Sequence, residues 1–144
     1  MKSDLEDLSR RAIALPGWKW PAGIYAVGKN RGALRRGHVT VESDGSPSLR
    51  VSRDFTRRTS TRIMLDDAWP VLDSPTAGGA LLLLLDGNIR AERSTRHEGD
   101  TLWYVAEKGT GNHFAFGEGL SLGEACARLA LARGYWRKGA TDAE

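Results

Sequence analysis

Leu5, Leu8, Ala12 and Leu15 recur at the spacing of one helical face. Ser3 stands three residues before Glu6, as in a capping box, and Pro16-Gly17 ends the pattern. These features predict a helix over about 4–15. From Gly23 onward the period changes to two. Tyr25 and Val27 alternate, Val39 and Val41 alternate with His38, Thr40 and Glu42, and Leu49, Val51, Arg53 and Phe55 share one face. Asp44-Gly45 and Ser46-Pro47-Ser48 supply the turn between the last two runs. The pattern predicts a hairpin of about 37–43 with 48–54, and a further strand from 59 to 65, where Thr59, Thr61, Ile63 and Leu65 alternate with more polar residues.

Asp73-Ser74-Pro75 is a helix start. The run Thr76 to Leu85 is apolar on all sides, which predicts a deeply buried helix. Its five consecutive leucines also fit a central strand. Gly78 and Gly79 suit that helix if another backbone comes close. Residues 88–96 are weakly patterned. Leu102 to Glu107 and His113 to Phe116 flank Lys108-Gly109-Thr110-Gly111-Asn112, a second hairpin. Ser121 and Glu124 repeat the capping-box spacing, and Leu122, Ala125, Cys126, Leu129, Ala132 and Trp136 form an apolar stripe. The order of elements predicts an α+β fold, an antiparallel sheet built from two hairpins and packed against about three helices. The expected organisation is a single domain over 1–137 and a loose tail over 138–144.

The chain has 144 residues and a net charge of +3, but the charge is unevenly placed. From Lys29 to Arg62 stand Lys29, Arg31, Arg35, Arg36, Arg50, Arg53, Arg57, Arg58 and Arg62 against Glu42, Asp44 and Asp54. That segment is +6 and the remainder −3. Arginine forms bidentate pairs with phosphate and carboxylate and stacks on flat rings. Arg31, Arg35 and Arg36 are expected in a Gly-rich loop between strands, and Arg53, Arg57, Arg58 and Arg62 around a second loop. Trp18, Trp20 and Phe55 are near in sequence as stacking faces. The bland counterpart is an arginine-rich edge that keeps strands from aggregating.

Other chemistry is thin. A phosphate cradle needs glycines that open a helix, whereas Gly109, Gly111 and Gly117 lie among strands and no Gly-Lys-Ser/Thr follows. Cys126 sits on an apolar stripe, so it reads as a buried side chain rather than a nucleophile. His38, His97 and His113 lack metal-ligand spacing, and the Asp66-Asp67 pair reads as solvated. The expectation is therefore a non-enzymatic protein without cofactor or metal. The single cysteine, the charged N-terminus and the lack of a long apolar run predict a cytoplasmic protein with no membrane partner.

Three patches carry a resemblance: Arg11-Ala12 through Gly17-Trp18-Lys19-Trp20-Pro21-Ala22-Gly23, then Leu72-Asp73-Ser74-Pro75-Thr76-Ala77-Gly78 with the leucines, and the last hairpin leading into Ser121 to Gly134. Together they cover somewhat under half the chain, and they resemble a set of small accessory proteins encoded by bacteriophages and prophages. The resemblance implies a phage accessory product acting in a bacterial host cytoplasm, a group that includes inhibitors of host defence such as anti-CRISPR proteins. It brings no catalytic residues. Three functions remain open. The first is binding and blocking a host protein or nucleoprotein complex, such as a defence complex, through Arg31, Arg35, Arg36, Arg53, Arg57, Arg58 and Arg62 with Trp18 and Trp20. The second is nucleic-acid binding by the same residues. The third is a small-molecule or enzymatic role near His97, His113 and the Gly109 loop.

Overall fold

The computed structural model describes residues 4–41, 43, 47–54, 59–64, 67–95, 101–108 and 114–137. Among the described residues three helices, α1 (Asp4–Ile13), α2 (Pro75–Leu84) and α3 (Leu122–Arg133), accompany eight strands. The strands are β1 (Tyr25–Asn30), β2 (Ala33–Val41), β3 (Pro47–Asp54), β4 (Thr59–Met64), β5 (Asp67–Pro70), β6 (Ile89–Thr95), β7 (Thr101–Lys108) and β8 (Phe114–Gly119). All pairings are antiparallel, in a five-stranded sheet of order β4-β3-β2-β1-β5 and a three-stranded sheet of order β6-β7-β8. The α+β class is thus present, with the strands divided between two sheets. Residues 1–18 and 72–144 form one compact unit, and residues 19–71 form a second.

In the first unit, α1 carries Asp4, Glu6 and Asp7 in its first turn and Arg10 and Arg11 in its last, which complements the helix dipole at both ends. It buries Leu8, Ser9 and Ala12 and stops two residues short of the expected end. Helix α3 starts at Ser121, whose hydroxyl accepts from the Glu124 N–H at 3.2 Å and donates to the Leu72 carbonyl at 3.1 Å. One side chain thereby caps a helix and ties it to a segment 49 residues away.

The leucine run is helical, as the Asp73-Ser74-Pro75 start indicates. It is not buried on all sides. Ala77, Gly78, Leu81 and Leu84 are buried, whereas Leu83 is 82% exposed. The two glycines also separate. A Cβ on Gly78 would lie 2.8 Å from the Leu122 Cβ, while one on Gly79 would meet nothing within 4 Å. Only the first is a close approach between helices, and what comes close there is a side chain rather than a backbone.

Arg133 closes this unit. Its side chain is only 4% exposed. Nη1 donates to Glu107 Oε2 at 2.6 Å and to the Asp86 carbonyl at 2.9 Å, and Nε to the Tyr135 carbonyl at 3.0 Å. Nη2 donates to Asp86 Oδ1 at 3.4 Å and to the Trp136 carbonyl. The guanidinium also lies 4.3 Å from the centre of the Tyr135 ring. Trp136 itself is buried and donates its indole N–H to the Ala12 carbonyl at 2.7 Å.

The second unit is a meander from β1 to β4 with β5 returning beside β1. Ile24, Ala26, Val39 and Leu49 are buried; Ala26 lies opposite Gly37 and Pro70, and Val39 opposite Leu49. The alternation read from the sequence at Tyr25 and Val27 is not kept in β1, where Ala26, Val27 and Gly28 are all buried, because this strand lies between β2 and β5.

Candidate nucleic-acid interface

The second unit contains the whole of the basic segment. From Lys19 to Val71 there are ten basic and five acidic residues, a net +5, so the other unit carries −2. Within that stretch, Lys19 to Val41 contains no acidic residue at all.

Strand β2 presents the first arginine group, and here the expected loop is corrected. Only Arg31 lies in a turn; Arg35 and Arg36 are strand residues opposite Gly28 and Val27 of β1. Gly32 and Gly37, which suggested a loop, have separate causes. Gly37 is buried in the ladder opposite Ala26. Asn30 pairs with Ala33, so the turn is the two residues Arg31-Gly32, with φ of +51° and +82°. Two successive positive φ values give the tight hairpin turn that follows strand twist. Gly32 takes the second without penalty, whereas at Arg31 the left-handed backbone costs about 1 kcal/mol.

Directly paired residues of an antiparallel ladder lie on the same face. The ladder therefore aligns Tyr25, His38 and Arg50 across β1, β2 and β3. The Tyr25 and His38 rings meet edge to face with centroids 5.3 Å apart. Arg36 stands two residues along from His38, and Arg31, Arg35, Arg36, His38 and Arg50 are all exposed. Arg62 is the Cα partner of Arg50, and Arg53 lies in β3. Because β2 and β3 run antiparallel, the Arg31 end of the first hairpin and the Asp54–Thr59 end of the second fall at the same end of the sheet. Arg31 and Arg53 thus stand in neighbouring hairpins toward the same end of the sheet. Arg57, Arg58 and Phe55 lie outside the described residues.

Trp20 belongs to the second unit, whereas Trp18 belongs to the first, where its ring packs 5.3 Å from that of Trp136. Sequence reasoning missed His38 and Arg50 as members of the basic face. Their signal was present in the alternation of His38 with Val39 and of Arg50 with Leu49 and Val51.

Elsewhere the residues offer less. Cys126 is fully buried on α3, and desolvation pushes its thiol from 9.0 up to about 12. The neutral thiol is the stable form in the fold, so the group is a poor nucleophile at neutral pH. Native protein should therefore resist a thiol reagent at pH 8 and react fully once denatured. The linked stability is complete below pH 9.0, and it should fall as pH rises from there toward about 12, because only the unfolded thiol ionises in that window. Rapid labelling of native protein would contradict the burial. In the first unit, a wide groove of about 380 Å³ is lined by Leu8, Arg11, Phe116, Glu118, Arg128 and Leu131. Its arginines already face Asp7 and Glu124. Among the described residues no group of three His, Cys, Asp or Glu side chains stands ready for a metal ion, and no helix is long and apolar enough to cross a membrane. His97, His113 and Gly109 to Asn112 lie outside the described residues. The chain matches no family model, no curated protein and no solved structure.

Proposed function

We propose that the protein is a non-enzymatic nucleic-acid-binding protein that uses the basic unit of residues 19–71. The observation that carries this reading is the exposed set Arg31, Arg35, Arg36, His38 and Arg50 on one hairpin and its neighbouring strand, in a unit with no acid from Lys19 to Val41. Arginines in such an array neutralise successive phosphates and release their counterions. A protein-binding surface would instead place large apolar or aromatic anchors at its centre. Here the rings present are Tyr25 and His38, turned edge to face against each other.

Binding to a short labelled nucleic acid, followed across a salt series, tests the reading. With three to four phosphates neutralised, log K should fall with log salt at a slope of about −3, which is about a 30-fold loss between about 50 and about 150 mM salt. Absence of binding at the lowest salt would overturn it. So would a stoichiometric host protein partner whose affinity is indifferent to salt and to Arg35→Glu with Arg36→Glu.

A further inference from the structure

Strand β6 is one edge of the three-stranded sheet, and among the described residues it pairs only with β7. Hydrogen-bonded and non-hydrogen-bonded pairs alternate along an antiparallel ladder. The Lys108 N–H donates to the Asn88 carbonyl at 3.2 Å, one step before the Ile89–Glu107 pair. Arg90, Glu92 and Ser94 therefore direct their backbone groups to β7, and Ala91 and Arg93 turn theirs outward. Ile89 turns its carbonyl outward too, while its N–H donates to the Gly87 carbonyl at 3.1 Å. Arg90, Glu92, Arg93, Ser94 and Thr95 are exposed, and Ile89 and Ala91 are half-buried. An open edge of this kind is a template for a further strand.

Charged side chains guard an edge when they meet like charges on an incoming strand. The charges of β6 alternate in sign and are complementary to themselves. We propose that β6 pairs antiparallel with β6 of a second copy of the chain, about a two-fold axis at Ala91. In this register Ala91 meets the partner's Ala91 as a hydrogen-bonded pair, and Ile89 meets the partner's Arg93. Arg90 stands opposite the partner's Glu92, and Glu92 opposite the partner's Arg90, so the same ion pair forms twice. Both fall at non-hydrogen-bonded positions, where facing side chains come closest. Opposite charges directly across a strand pair attract, and like charges repel. The register can shift only in steps that keep outward backbone groups facing each other. One step sets Arg90 against the partner's Arg90, and the step the other way sets Glu92 against the partner's Glu92. The charges thus select a single register. Among the described residues neither Arg90 nor Glu92 is held by an ion pair within the chain, so both are available. A two-fold contact closes at two copies, and it joins two three-stranded sheets into one of order β8-β7-β6-β6-β7-β8. This surface belongs to the first unit, and the proposal is independent of the nucleic-acid reading.

The test is sedimentation equilibrium of the full chain over a wide range of concentration, at low salt so that exposed pairs are little screened. The parent should show a monomer–dimer equilibrium with no higher species. Arg90→Glu and Glu92→Arg each turn both attractions into repulsions, and each should weaken the dimer about tenfold or more. Arg90→Glu combined with Glu92→Arg restores two opposite pairs and should dimerise as the parent does. The two single variants, each impaired alone, should associate with each other when mixed, because each brings the charge that the other lacks. Both positions are exposed, so the exchanges leave the core untouched. A parent that stays monomeric at the highest concentration overturns the proposal. So does a dimer that either single variant leaves intact, or one that the combined exchange fails to restore.

Discussion

Replacing Arg133 with alanine should cost about 3–5 kcal/mol of stability, because it strips a buried ion pair of one partner, and lower Tm by about 10 °C or more. The Glu107 carboxylate would face the interior without its cation, and the carbonyls of Asp86, Tyr135 and Trp136 would each lose a donor. Water cannot easily replace them, since the guanidinium is 4% exposed. Arg133→Lys keeps the charge but not the fork that serves five acceptors, and should fall between the two. Chemical denaturation monitored by tryptophan fluorescence reads all three proteins. A loss below about 1 kcal/mol for the alanine variant, the value of an exposed pair, would show that the contacts do not hold the C-terminal segment.

Gly117→Ala should be strongly destabilising for a single added methyl. Gly117 lies opposite Val105 in the β7–β8 ladder and beneath α3. A Cβ there would run into the Ala125 carbonyl, the Leu129 amide and the Arg128 carbonyl carbon. These are backbone atoms of one helix, so relief requires α3 to lift off the sheet rather than a side chain to turn. Overpacking of this kind costs about 1–3 kcal/mol, and Gly117→Val should cost more. Gly79→Ala is the control. It adds the same methyl inside a helix where nothing lies within 4 Å, and should raise stability by about 1 kcal/mol. If both alanine variants shift the denaturation midpoint equally, the close approach of β8 and α3 is wrong.

Local patterns were legible where one strand or helix carried its own reason. The helix over 4–15, the leucine helix, the strands around 37–54 and the Ser121 cap each rest on periodicity or capping within a few residues. Two strands were not legible. Asp67-Ala68-Trp69-Pro70 contains poor strand formers, and β5 exists because its four residues pair with Ala26 to Lys29. Ile89 to Thr95 alternates, but only Ile89 and Ala91 are even half-buried, so the apolar signal of this edge strand is faint. Arg133 looked like any helix-end arginine; its acid partners lie 26 and 47 residues away. The basic site was legible as composition, not as shape. The charge sum found the segment, while the alignment of Tyr25, His38 and Arg50 follows from the register of the ladders.

The interrupted path of the first unit also sets an order of events. Trp136 bonds to Ala12 across 124 residues, whereas the meander from β1 to β4 joins only consecutive strands. Contacts of low sequence separation form early and distant ones late. On a ribosome that adds about 5–20 residues per second, α1 emerges and then waits roughly 5–20 s for α3, with Leu8 and Ala12 uncovered throughout. All ladders of the basic unit can close within that interval. The strands that carry Arg35, Arg36 and Arg50 can thus pair while the chain is still growing, whereas Leu8 and Ala12 wait for α3.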